Sequence, residues 1–183
     1  MSKITLVTGG SRSGKSSFSE KLLKHTDDVL YIATAIVTDK EMEDRIERHR
    51  KGRNHKWETL ESYEDLHEKI SNYTEKYILL DCVTVMTTNI MFSKYTDYEN
   101  LSQEKIDEVC EYIKLQFRKL IDKVKDEDKE IIMVTNEVGW GLVPEYKLSR
   151  IFRDIAGFVN QHIAELSDEV YLVSCGLPLK LKG

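Results

Sequence analysis

Four residues within one octapeptide, Gly9, Gly14, Lys15 and Ser16, match G-x-x-x-x-G-K-[ST], with Gly10, Ser11, Arg12 and Ser13 between them. Each residue type has a chemical use at its place. The glycines allow backbone angles that turn successive N–H groups inward, and with the start of a following helix these form an anion cradle. A lysine at the position of Lys15 reaches the outer phosphates of a nucleoside triphosphate, and a hydroxyl at Ser16 ligates Mg²⁺. With glycine near 7% of residues, chance would bring these four positions together in roughly one chain in a hundred or fewer. The apolar run Ile4-Thr5-Leu6-Val7-Thr8 just before the pattern makes coincidence rarer still. Arg12 adds a positive charge that suits a phosphate or a second substrate.

A metal-bridged triphosphate also needs an acidic partner. Ile78-Leu79-Leu80-Asp81 ends in an aspartate, the usual form of that partner, and a helix cap is its plainer reading. Thr135-Asn136-Glu137 ends another apolar run, which makes Glu137 a competitor. In an open α/β sheet both stand at the carboxyl edge, beside the loop. A third constellation surrounds one histidine: Arg45, Arg48, His49, Arg50, Lys51, Gly52 and Arg53 lie in one short segment. It reads as a solvated charged helix or as a site for chemistry on a triphosphate. In the latter, a neutral imidazole attacks phosphorus and the cations offset charge on departing pyrophosphate. The remaining histidines, His25, His55, His67 and His162, read as surface or structural residues.

The elements that must hold these residues follow from hydrophobic patterning. Residues 4–8, 29–33, 77–81, 130–135 and 169–174 form short, nearly continuous apolar runs, as expected for strands buried on both faces of a parallel sheet. Helical patterns cover 16–24, 40–51, 63–73, 103–124 and 147–166. The alternation predicts an α/β fold with right-handed crossovers, a mostly parallel sheet flanked by helices. The polar stretch 97–104 reads as a loop and the charge run 123–129 as a solvated helix end.

The chain has 183 residues, 40% of them hydrophobic and 32% charged, with a formal net charge of −5. One domain spanning 1–183 is expected, because no Gly/Ser-rich linker or internal repeat divides the chain. The acidic balance argues against nucleic acid or an anionic membrane as partner. No apolar run approaches the roughly 20 residues of a membrane span. Three well-separated cysteines without a C-x-x-C read as buried reduced thiols. A cytoplasmic enzyme is the expectation. On the residues alone, a plain P-loop kinase acting on a small molecule and a RecA-like ATPase or GTP-binding module both remain open. The missing N-K-x-D guanine signature counts against a GTPase switch.

Longer stretches carry a resemblance. Thr8 to Ser16 (T-G-G-S-R-S-G-K-S), Y-I-A-T-A from Tyr31, E-M-E-D-R-I-E-R-H-R-K-G-R from Glu41, W-E-T-L-E from Trp57 and L-L-D-C-V-T from Leu79 belong to it. So do T-N-I from Thr88, V-T-N-E-V-G-W-G-L-V-P-E from Val134 and F-R-D-I-A-G-F-V-N-Q from Phe152. Together they resemble, nearly end to end, the bifunctional adenosylcobinamide kinase / adenosylcobinamide-phosphate guanylyltransferases of cobalamin biosynthesis. The basic segment and the T-N-E-V-G-W-G stretch are the specific parts.

That resemblance implies a RecA-like P-loop NTPase fold and a homotrimer. It implies phosphorylation of the aminopropanol hydroxyl of adenosylcobinamide with GTP or ATP. It further implies transfer of GMP from GTP to the new phosphate through a GMP–histidine intermediate at His49. Nucleotide contacts are implied for Gly9, Gly10, Ser11, Arg12, Ser13, Gly14, Lys15 and Ser16, for Ala33, Thr34 and Ala35, for Arg50, Lys51, Gly52 and Arg53, and for Glu61 and Asp81. Lys15 joins His49 in catalysis, with Mg²⁺ between Ser16 and Asp81. The chain departs from the family pattern at Asn54, where a proline often follows the basic segment, and at Asp81, where some members carry glutamate. Neither change removes a chemical function.

Overall fold

The computed structural model describes residues 2–36, 40 and 54–183. Its centre is one seven-stranded sheet. The strands are β1 (Lys3–Thr8), β2 (Val29–Ala33), β3 (Glu58–Glu61), β4 (Tyr77–Asp81), β5 (Glu130–Val134), β6 (Glu169–Ser174) and β7 (Leu177–Lys182). They lie in the order β3-β2-β4-β5-β1-β6-β7, all parallel except β7, which runs antiparallel to β6.

The continuous apolar runs are explained by the pleat, which sends alternate side chains to opposite faces. Ile4, Leu6, Leu30, Ile32, Ile78, Leu80, Ile131 and Met133 enter one core. Val7, Val29, Tyr31, Leu79, Ile132 and Val134 enter the other. The first core is covered by α3 (Val83–Lys94), α4 (Gln103–Asp126) and α5 (Lys147–Leu166), with the short α2 (Leu66–Lys69) continuing into a 3₁₀ turn at Ile70–Asn72. On α4, Ile106, Val109, Cys110, Ile113, Phe117, Leu120, Ile121 and Val124 recur every three or four residues and are all buried. The second core packs against α1 (Lys15–Leu22) through Phe18 and Leu22. Helices on both faces of a mostly parallel sheet make the α/β arrangement expected of the chain.

Several expectations are corrected. Two strands and one helix escaped the patterning. β3 (Glu-Thr-Leu-Glu) is short, charged and at an edge. β7 is an exposed edge strand containing Pro178, which an edge tolerates. α3 is rich in β-branched residues and apolar on several sides, so no stripe marks it as helical. The expected helix 63–73 shrinks to α2 and its 3₁₀ turn, with Asp65 at φ 52° just before it. Thr135 lies beyond β5, although its N–H still bonds the Val7 carbonyl at 2.9 Å. His25 lies past the end of α1 and is exposed. Gln103 and Glu104 open α4 rather than ending a loop, with the Ser102 side chain capping Lys105 N–H. Lys129, read as part of a solvated run, is buried: its ammonium donates to the carbonyls of Ile70 and Tyr73 and lies 3.2 Å from Glu127. Of the thiols, Cys82 and Cys110 are buried, but Cys175 is exposed. The helix expected at 40–51 falls outside the described residues apart from Lys40.

Candidate active site

The loop 9–16 joins β1 to α1 at the carboxyl edge of the sheet, and its conformation rests on close packing that only small residues allow. Gly14 has φ 96°, in the left-handed region. A Cβ on Gly14 would lie 3.0 Å from the Gly176 Cα, and one on Gly9 would lie 2.4 Å from the Val173 carbonyl oxygen. Arg12 also has positive φ, 57°, and its side chain is exposed. The loop is tied to its surroundings by backbone hydrogen bonds. Ser13 N–H donates to Gly10 O at 3.3 Å, Gly176 N–H to Ser13 O at 2.8 Å and Glu137 N–H to Gly9 O at 3.0 Å. The β6–β7 turn and the chain leaving β5 therefore brace the loop from two sides.

Lys15 is buried and folds back over the loop, its ammonium donating to Gly10 O at 3.0 Å. Burial holds its pKa below the ordinary 10.5, against the opposing pull of Cys82 and Asp81. The Cys82 thiol is itself pushed up by burial, so it stays uncharged at neutral pH and Asp81 supplies the negative charge near Lys15. A cation held in a partly desolvated loop is an incomplete ion pair, and a polyphosphate completes it.

Asp81 ends β4, in register with Ala33 and Val134. It accepts a hydrogen bond from the Tyr31 hydroxyl at 3.1 Å through one carboxylate oxygen. The rival acid, Glu137, turns onto its own loop and accepts from Gly139 N–H at 2.7 Å. Ser16 is half-buried in the first turn of α1. A hydroxyl and one carboxylate suit Mg²⁺, which keeps several waters and is otherwise held by substrate phosphates. No cluster of three or more acidic, histidine or cysteine side chains placed to hold a metal occurs among the described residues.

Ala33, Thr34 and Ala35 leave the end of β2 on the same edge. Thr34 is buried and locked in place: its N–H donates to Asp81 O, its hydroxyl exchanges hydrogen bonds with the backbone of Cys82, and its carbonyl accepts from Asn89. Glu61 ends β3 opposite Ala33. His49, Arg50, Lys51, Gly52 and Arg53 lie outside the described residues.

Sequence reasoning passed over a polar network behind the site. The Asn136 amide donates to the Thr84 hydroxyl at 2.6 Å, and that hydroxyl lies 3.2 Å from the Cys82 sulfur. The Thr135 hydroxyl donates to the Asn160 side-chain oxygen at 2.7 Å, while the Asn160 amide donates to Asn136 O at 3.2 Å. This network joins β4, β5, α3 and α5. Its only sequence signal was polar residues directly after apolar runs.

Fold and site together define a P-loop nucleotide-binding protein. The model of the cobinamide kinase / cobinamide phosphate guanyltransferase family matches residues 5–181, and the chain belongs to that family. It is 42% identical to the bifunctional adenosylcobalamin biosynthesis protein CobU of Escherichia coli (strain K12), over 97% of this chain and 98% of that protein. It is 41% identical to the CobU protein of Salmonella typhimurium, covering 97% and 98%. The bifunctional adenosylcobalamin biosynthesis protein CobP of Pseudomonas aeruginosa is 36% identical, covering 97% and 96%. Among solved structures, a KaiC-like protein, PH0186 of Pyrococcus horikoshii OT3, superposes with a TM-score of 0.48 at 15% identity, covering 93% of this chain and 70% of that one.

Proposed function

We propose that this chain phosphorylates adenosylcobinamide with a nucleoside triphosphate held in the loop 9–16, then transfers GMP from GTP to the product, releasing pyrophosphate. The observation that carries the reading is the family match across residues 5–181, with the phosphate loop assembled inside it. Residues 1–183 act as one unit in the cytoplasm, and resemblance supports a homotrimer.

In the kinase step the acceptor hydroxyl attacks the γ-phosphorus. The loop amides and Lys15 hold the triphosphate in line, and positioning and charge supply most of the catalysis. Ser16 and Asp81 would hold Mg²⁺, which would supply charge neutralisation to the triphosphate.

In the second reaction the neutral imidazole of His49 attacks the α-phosphorus of GTP. A P–N bond forms, the P–O bond to pyrophosphate breaks, and the leaving charge is met by Lys15 and the arginines beside His49. An oxygen of the adenosylcobinamide phosphate then attacks the same phosphorus, breaking the P–N bond and freeing His49. Imidazole suits this role because, once the ring of the phosphoramidate is protonated, the imidazole leaves phosphorus easily. Further GTP contacts are assigned to Ala33, Thr34, Ala35, Arg50, Lys51, Gly52, Arg53 and Glu61, a reading that rests on resemblance and, for the first three and Glu61, on their place at the carboxyl edge.

Incubation with GTP, Mg²⁺ and adenosylcobinamide should give adenosylcobinamide phosphate and adenosylcobinamide-GDP by mass spectrometry. With α-labelled GTP alone, the protein should take up an acid-labile label. His49→Ala should lose the label and guanylyl transfer but keep the kinase reaction. Label persisting in that variant would remove His49 as nucleophile, and loss of both activities would make its role structural.

A further inference from the structure

The loop 138–146 between β5 and α5 leaves several large apolar side chains in water. Trp140 is 75% exposed, Leu142 96%, Val143 70% and Tyr146 70%. Single exposed apolar side chains are ordinary, but several on one short loop mark a binding surface. From Val138 to Pro144 the loop carries no charged side chain. It is anchored at both ends. Glu137 donates its N–H to Gly9 O and accepts from Gly139 N–H, while the Arg150 guanidinium donates to the carbonyls of Pro144 and Glu145. The loop thus starts on the phosphate loop itself. With about 3.5 Å per residue of extended chain, Trp140 stands within roughly 10 Å of Glu137.

We propose that loop 138–146 is the seat of the corrin ring of the acceptor, with Trp140 and Leu142 as the contact residues. This rests on the proposed function, because the acceptor named by the family is a cobinamide. A corrin is a broad, mostly apolar ring fringed with amide arms, one of which bears the reacting hydroxyl. Its ring needs an apolar, uncharged platform offset from the phosphates by the length of that arm. The loop supplies an apolar, uncharged surface that begins beside Gly9 of the phosphate loop. Charged residues enter only at the loop's margins, at Glu137 and Glu145.

The test is steady-state kinetics on the full chain carrying Trp140→Ser and Leu142→Ser, with Trp140→Phe as the conservative control. The double variant should raise KM for adenosylcobinamide at least tenfold while leaving KM for GTP and self-labelling by α-labelled GTP unchanged. Trp140→Phe should restore KM to within about threefold of the parent. Hydrogen exchange should show amides of 138–146 protected by adenosylcobinamide and not by GTP alone. A corrinoid KM within twofold of the parent, or no protection, overturns the proposal. So does a parallel loss of GTP labelling or a changed mass by light scattering, which would make the loop a structural or subunit contact. If the parent protein labels itself with GTP but never modifies adenosylcobinamide, the proposed function fails and this assignment falls with it. An active parent with an unaffected variant sinks the assignment alone.

Discussion

Lys15 shows how one residue carries both the chemistry and its pH dependence. Burial keeps its pKa below 10.5 in the free protein. A bound triphosphate adds negative charge and raises it again. Nucleotide affinity is therefore complete below the free-state pKa and falls as pH rises through it toward the bound value. Calorimetry in alkaline buffers of different ionisation enthalpy should show net proton uptake on GTP binding. Lys15→Met should abolish that uptake and lower kcat by about 100- to 1,000-fold, the usual effect of removing one well-placed donor to a developing charge. At neighbouring Asp81, Asp81→Asn should shift the Mg²⁺ requirement of turnover to higher concentration. Glu137→Gln should not, because the Glu137 carboxylate is engaged with Gly139 N–H.

At the scale of elements, the phosphate loop depends on a hairpin that sequence patterning passed over. The β6–β7 turn holds Cys175 at φ 53° and Gly176 at φ 76°, and Gly176 N–H reaches Ser13 O. A left-handed alanine costs about 1–2 kcal/mol. Gly176→Ala should lower Tm by roughly 2–8 °C in a chain of this size, and raise KM for nucleotide more than KM for corrinoid. The same hairpin is tied to β1 by a carboxylate. Glu169 is bonded by Lys180 at 2.8 Å, lies 3.0 Å from Lys3, and is held down to about 2 chiefly by Lys180, then by Lys3 and Tyr171. Its folded pKa lies below its unfolded one. The stability it contributes is whole above the ordinary 4.5 and is lost as pH falls from there toward 2. Thermal melts of Glu169→Gln should show a shallower fall across that window.

For the molecule as a whole, nucleotide binding joins strands that are distant in sequence, so it should register as global stability. At a GTP concentration 100 times Kd, linkage adds about 2.7 kcal/mol. In a domain this size that raises Tm by roughly 5–10 °C. Lys15→Met should show little of the rise at the same concentration. The trimer implied by resemblance is checked by light scattering of the parent protein, where a mass of one chain would reject it.

The parts of the protein legible from sequence are those in which neighbouring residues determine the structure. The loop 9–16 could be read because its glycines, Lys15 and Ser16 are neighbours in the chain and the turn they make is local. Five central strands could be read because burial on both faces demands unbroken apolar runs. What escaped depends on partners far along the chain. β3 and β7 are strands because an existing edge offers hydrogen bonds, not because of their composition. α3 is a helix because the core surrounds it. Lys129 is buried because two carbonyls from the 3₁₀ turn need a donor. The surroundings of the two candidate acids likewise appeared only on folding, which turned Glu137 onto its own loop and left Asp81 at the end of β4 beside Tyr31. Sequence alone determined which residues could bind a triphosphate, since that chemistry lies in eight consecutive positions. Tertiary structure decided what braces those residues and which apolar surface stands next to them, because those contacts exist only once β5, β6 and β7 meet β1.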